Sequence, residues 1–146
     1  NNQLTDFSFK SKNKKGELIA NRVEPNKKPR SSMSPTLVFS DNELKAVLGS
    51  PGGSRIICYV AKVVYEVLFL KEDPLVSVQS PHYCSRGSFT ELENNNLNNK
   101  LKNYLTEKGH SIKLKEMTSG LNVIWKKNDV WYGIADSRRE GYATGE

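Results

Sequence analysis

The junction at residues 49–70 constrains this chain most, because Gly49-Ser50-Pro51-Gly52-Gly53 runs directly into an apolar stretch from Arg55 to Leu70. A stretch of roughly fifteen residues is long for a strand and ordinary for a helix, so length assigns it to helix. The β-branched residues Ile56, Ile57, Val60, Val63 and Val64 would suit either state. Ser54 is the expected N-cap, and Lys62 and Glu66, four residues apart, interrupt a surface that is otherwise apolar nearly all round. The sequence therefore predicts a largely buried helix entered through a glycine loop.

Shorter elements flank it. Thr36–Phe39 and Leu44–Leu48 are β-favouring runs separated by Ser40-Asp41-Asn42-Glu43, which predicts an antiparallel hairpin leading into the glycine loop. Lys71–Pro74 ends the helix, the region around Pro81 reads as irregular, and Phe89–Leu92 is a short strand. Leu97, Leu101, Tyr104 and Leu105 repeat at helical spacing, and Gly109 supplies the stop. Ile112–Lys115, Leu121–Lys126 and Val130–Ala135 read as a closing meander with a turn at residues 127–129. Residues 1–30 are polar and lack sustained periodicity, with short extended pieces such as Glu17–Ala20. With 146 residues the length is that of one domain, and hairpins around two helices argue for an α+β fold with antiparallel sheets.

The charge is +6, from 22 Lys and Arg against 16 Asp and Glu. The excess is local, in Lys10, Lys12, Lys14 and Lys15 and then Lys27, Lys28 and Arg30, as in a solvated turn. No aromatic alternation or zinc-finger spacing accompanies it, so the pattern does not point to nucleic acid. No apolar run reaches the roughly 18 residues of a membrane span. Cys58 and Cys84 are the only cysteines. They are too few for a disulfide scaffold; one bridge is open but not implied, and Cys58, inside an apolar run, reads first as a small buried core position. His82 and His110 lack neighbouring ligands, so neither metal nor cofactor is expected.

Three features carry chemistry. Gly52-Gly53, between a strand and a helix, would let main-chain N–H groups approach a ligand and hold a developing oxyanion, worth about 3–4 kcal/mol per donor in acyl transfer. Taken alone, Pro-Gly-Gly reads as an ordinary turn. Arg30-Ser31-Ser32-Met33-Ser34 offers hydroxyls and amides to a carboxylate, or is a solvated Ser-rich turn. Gln3 and Asp6 can accept hydrogen bonds from an ammonium, although such pairs also arise by chance. Together they would suit a substrate with both an amino and a carboxyl group, but none of them is a nucleophile.

The runs Asn1-Asn2-Gln3-Leu4-Thr5-Asp6-Phe7-Ser8, Pro25–Thr36 and Gly49–Ile57 resemble, in order, motifs of the small subunit of γ-glutamyltransferase (γ-glutamyltranspeptidase). Gly109-His110 and Tyr132–Gly141 resemble its closing segments. The resemblance implies an N-terminal-nucleophile hydrolase fold, an αββα sandwich completed by a large subunit and by N-terminal strands missing here. Residues 1–146 would be one domain, part of the small, catalytic subunit. It also implies that Gln3 and Asp6 bind the α-amino group of a γ-glutamyl substrate such as glutathione, Ser31 and Ser32 its α-carboxylate, and Gly52 and Gly53 the oxyanion. Family members are exported to the periplasm or cell exterior.

Departures from the family pattern set the remaining expectations. The family nucleophile is a Thr at the start of the small subunit, activated by its own α-amino group. Asn1 cannot fill that role, and Thr5 and Thr36 are internal. The chain is therefore expected to lack its nucleophile and to be inactive alone. Residues 9–24 resemble a shortened lid loop without Tyr or Trp, which implies a more open pocket. Pro81-His82-Tyr83-Cys84-Ser85 stands where the family is rich in Arg and His. Two alternatives remain: a γ-glutamyl-binding pseudoenzyme, and a relative acting on poly-γ-glutamate.

Overall fold

The computed structural model describes residues 6–95 and 99–145. The chain forms two compact units, residues 1–32 and 33–146.

The first unit is built by turns and polar bonds. Ser8 bridges to Arg22 and Lys12 to Leu18. Between the latter pair, the Asn13 Oδ1 accepts the N–H groups of Lys15 at 2.9 Å and Glu17 at 3.1 Å, while its Nδ2 donates to Glu17 at 2.7 Å. An Asn side chain closing its own turn in this way needs no core beneath it. Arg22 donates to Glu24 at 2.7 Å, and Lys27 approaches the same carboxylate at 3.0 Å. The lysine-rich run is thus carried on an exposed turn.

The second unit holds the core. Strands β1 (Thr36–Ser40) and β2 (Glu43–Gly49) form the expected hairpin. Asp41 and Asn42 take φ of 53° and 64°, the pair of left-handed residues that a two-residue turn between twisted strands requires. The buried helix is α1, Ile56–Leu68, preceded by a 3₁₀ turn at Gly53–Arg55. Ser54 lies in that turn and does not cap; Arg55 is the N-cap residue, without a side-chain cap bond. Ser54 Oγ instead accepts from the Arg86 guanidinium.

Helix α1 is less buried than expected, and its polar pair lies on the packed side. Lys62 is only 4% exposed, whereas Ile57, Tyr65 and Phe69 are 55%, 50% and 70% exposed. The reason is a helix that periodicity alone did not reveal: α2, Pro74–Gln79, lies between the expected helix end at Lys71–Pro74 and the irregular region around Pro81. Asp73 caps it, with Oδ1 accepting Leu75 N–H at 2.9 Å, and Pro74 occupies its first turn. Lys62 Nζ donates to Ser77 O at 2.7 Å and to Ser80 O at 3.0 Å, carbonyls at the end of α2 that also accept from Ser80 Oγ and from Arg138 respectively. Glu66 accepts from Ser77 Oγ at 2.6 Å. The Lys62 and Glu66 spacing marks the α2 interface rather than solvent.

The remaining elements are β3 (Tyr83–Ser85), β4 (Thr90–Glu93), α3 (Asn99–Glu107), β5 (Ile112–Lys115), β6 (Asn122–Lys127) and β7 (Val130–Ala135). Of the residues expected to pattern α3, Leu97 lies outside the described residues, and Gly109 follows at φ 89°. The closing strands do not form one meander. Strands β6 and β7 join the first hairpin in an antiparallel sheet ordered β1-β2-β6-β7. Strand β5 leaves them and pairs parallel with β4 in a second sheet, β3-β4-β5. The crossover through α3 permits that parallel pairing, which a hairpin connection cannot make.

Strand alternation places Ala46, Leu48, Val123 and Trp125 on the sheet face toward α1 and α2. They pack with Tyr59, Val60, Val63, Val67, Val78 and Leu121. Cys58 and Cys84 are joined as a disulfide, Cα atoms 5.5 Å apart, tying α1 to β3. This closes the question the sequence left open, and Cys58 is half-buried rather than a core residue. Among the described residues no helix is long and apolar enough to cross a membrane.

Candidate active site

The glycine loop is built by what surrounds it. Strand β2 ends at Gly49, and Ser50–Gly52 leads into the 3₁₀ turn. Gly52 has φ 137° and ψ 11°, and Gly53 has φ 58°. Gly52 is required twice over. Its φ is one that side-chain-bearing residues rarely adopt, and a Cβ there would sit 2.6 Å from Tyr59 Cε2. The Gly52 carbonyl accepts Arg55 N–H at 3.3 Å, which closes the turn. The N–H groups of Gly52 and Gly53 find no acceptor among the described residues. They remain available to an outside oxygen.

Charges brace the entrance to α1. Arg55 donates to both Glu91 oxygens at 2.7 and 2.9 Å, and Arg86 adds a third bond at 2.9 Å. The Arg55 guanidinium, followed by Arg86, holds the buried Glu91 carboxyl below the usual carboxylate range. A bidentate pair of this kind fixes orientation as well as charge. It joins residues 36 positions apart, a separation that no local motif encodes.

Behind the loop lies a buried polar chain. Ser119 Oγ donates to Asp136 Oδ2 at 2.5 Å, so the hydroxyl proton is committed, and His82 Nε2, 2.8 Å from Ser119 Oγ, must be the donor in that bond. His82 is fully buried and its Nδ1 has no partner among the described residues. Neutral, the ring leaves only a lone pair unmet; protonated, it would bury an unpaired N–H. Burial pushes the His82 pKa down, and Lys62 and Arg138 push the same way. Burial pushes the Asp136 carboxyl up, but the His82 ring nitrogen 4.0 Å away, the Ser119 bond and the N–H groups of Arg138 and Leu121 outweigh it and hold it well below its usual range. Arg138 donates to Glu93 at 2.7 and 2.8 Å and to the carbonyls of Val78 and Ser80, anchoring this chain to α2 and β4.

Asp6, Ser31 and Ser32 belong to the first unit and Gly52 and Gly53 to the second. Asp6 begins the described part of the chain in a short 3₁₀ turn, and its carbonyl accepts Asn21 Nδ2 at 2.6 Å. Ser32 is buried and Ser31 exposed. Gln3 lies outside the described residues. Sequence reasoning missed Tyr59, His82, Ser119 and Gly120 as parts of the loop's setting. The only local signal was that an aromatic ring stands one helical turn inside α1.

The α+β arrangement is that of the N-terminal-nucleophile hydrolases, the class of the solved structures this chain resembles. The γ-glutamyltranspeptidase family model matches residues 1–146, and the chain belongs to that family. It is 37% identical over 145 residues to the glutathione hydrolase proenzyme of Escherichia coli, covering 94% of this chain and 25% of that protein. It is 41% identical over 86 residues to the Arabidopsis thaliana protein named "Putative inactive glutathione hydrolase 4", covering 56% of this chain and 45% of that one. A threonine-to-alanine variant of Helicobacter pylori γ-glutamyltranspeptidase superposes with a TM-score of 0.79 at 35% identity, covering 95% of this chain and 80% of the solved one. The chain thus spans about a quarter of the bacterial proenzymes it matches.

Proposed function

We propose that the chain supplies the oxyanion donors and γ-glutamyl contacts of a γ-glutamyltransferase that also hydrolyses glutathione. The observation that carries this reading is the pair of acceptor-free N–H groups at Gly52 and Gly53 in a chain matched throughout by the family model. In the proposed reaction a terminal Thr outside this chain attacks the γ-carbonyl carbon. The carbonyl π bond opens, negative charge collects on its oxygen, and the two N–H groups stabilise that charge. The bond to the leaving amine then breaks, the amine takes the proton lost by the Thr, and an acyl ester remains. Water or an amino acid or peptide amine completes hydrolysis or transfer. Gln3 and Asp6 bind the substrate ammonium and Ser31 and Ser32 its carboxylate.

The partner in this reading is a large subunit of the same precursor. Support comes from the face of the four-stranded sheet turned away from the helices. Leu37, Ile124 and Trp131 are exposed there, and a groove of about 730 Å³ opens beside Trp131 and Tyr142. Apolar sheet surface of this kind is ordinarily covered in an assembly. The disulfide fits an oxidising compartment, either the periplasm or the cell exterior.

A second reading is a γ-glutamyl-binding pseudoenzyme, favoured by the likeness to the relative named as inactive. The two separate in the matured enzyme that includes this chain, assayed with γ-glutamyl-p-nitroanilide. Turnover supports the first reading, and Asp6→Asn and Ser32→Ala should then raise KM at least tenfold. Ligand binding without turnover supports the second.

A further inference from the structure

We infer that Tyr59 and Gly120 are positioning residues that clamp the glycine loop from two sides, so that Gly52 and Gly53 present their N–H groups in one fixed geometry. The inference rests on the oxyanion reading of those two glycines. Two consecutive glycines at positive φ lose more backbone freedom on ordering than any other pair, so this loop needs rigid walls to stay in one conformation.

The first wall is the Tyr59 ring. It is almost wholly buried and lies against the Gly52 Cα, where even a methyl group would overlap it at 2.6 Å. The ring is itself backed by His82, with centroids 4.5 Å apart and planes inclined by 40°. His82 continues through Ser119 to Asp136, whose other oxygen accepts from Arg138 at 3.0 Å. The stack therefore ends on ion-paired anchors and not in a void.

The second wall is Gly120. Its N–H donates to Ser50 Oγ at 3.2 Å, and a Cβ there would lie 2.9 Å from Pro51 Cγ and 2.7 Å from Arg139 Cδ. Pro51 is thus pressed against bare backbone. Ser119 and Gly120 are adjacent, and one belongs to each wall. This dipeptide ties the Tyr59 stack and the Pro51 contact to a single segment before β6. The loop is gripped at Ser50 and Pro51 from one side and at Gly52 from the other.

The test uses the matured enzyme that includes this chain and compares Tyr59→Ala, Tyr59→Phe and Gly120→Ala with wild type. Two readouts are needed: backbone NMR order parameters at Gly52 and Gly53, and kcat and KM on γ-glutamyl-p-nitroanilide. Tyr59→Ala and Gly120→Ala should lower the order parameters of both glycines from about 0.85 to below about 0.6 and lower kcat 10- to 100-fold, with KM within threefold of wild type. Tyr59→Phe keeps the ring and should restore the order parameters and bring kcat to within threefold. If Tyr59→Ala does not fold, Tyr59→Leu takes its place under the same criteria. Unchanged order parameters in the folded variants overturn the clamp whatever the activity. Lowered order parameters with unchanged kcat, or a wild type without turnover, refute instead the oxyanion role of the loop and with it the catalytic half of the inference.

Discussion

The two units are held by different physics. The described part of the first is a string of turns closed by side chains such as Asn13 and Arg22, with little apolar surface to bury. The second buries a contiguous core and then threads charged groups through it: Lys62, Glu91, Asp136 and Arg138. Local polar bonds give a segment shape at small stability, whereas a core with embedded ion pairs gives rigidity at the cost of intolerance to change. The candidate oxyanion loop sits in the second kind of structure, as a preorganised donor site should.

That contrast can be broken at graded strength. Leu121→Ala, at a fully buried core position, should cost about 2–5 kcal/mol in chemical denaturation. Reducing the Cys58–Cys84 bridge releases a loop of 26 residues and should cost about 3.5 kcal/mol on a chain-entropy account. A smaller effect is expected from pH. Native His82 binds its proton less readily than the unfolded side chain, so the unfolded state takes up more protons and stability should fall as pH drops below about 6.5. Lys62, Glu93, Asp136 and Arg138 are the charged groups that act on the ring. Asp136, also depressed, adds its own loss only near and below about pH 4. His82→Gln should therefore flatten the decline between pH 6.5 and 5 and leave the acid limb in place, as read from denaturation midpoints. Asn13→Ala should have the smallest effect, under about 1 kcal/mol, seen as faster proteolysis near residues 12–18 while the denaturation midpoint of the core holds.

Much of this was legible in sequence, for identifiable reasons. The β1–β2 and β6–β7 hairpins announce themselves through Asp41-Asn42 and Asn128-Asp129, residues suited to positive φ. Helix α1 follows from length, and Gly52 and Gly53 stood out as a loop of unusual freedom. What failed was long-range. Lys62 read only as a break in an apolar surface because its partners, the carbonyls of Ser77 and Ser80, come from a helix announced only by Asp73-Pro74. Strand β5 resembled its neighbours in composition, and nothing in Ile112–Lys115 says that it pairs parallel with β4. The walls of the candidate site were invisible for the same reason. Tyr59 reads as one more apolar residue until Gly52 is set against its ring, and Gly120 reads as a turn until Pro51 is.

The most direct test replaces the backbone amide of Gly53 with an ester in the matured enzyme, deleting one N–H while sparing every side chain. That group has no acceptor among the described residues, and the Gly52 carbonyl, weakened as an acceptor by the change, makes only the 3.3 Å bond to Arg55 N–H, so the loss of stability should stay under about 1 kcal/mol. The account predicts that kcat for γ-glutamyl-p-nitroanilide falls about 10²–10³-fold with KM nearly constant. A kcat equal to that of the all-amide enzyme would contradict it.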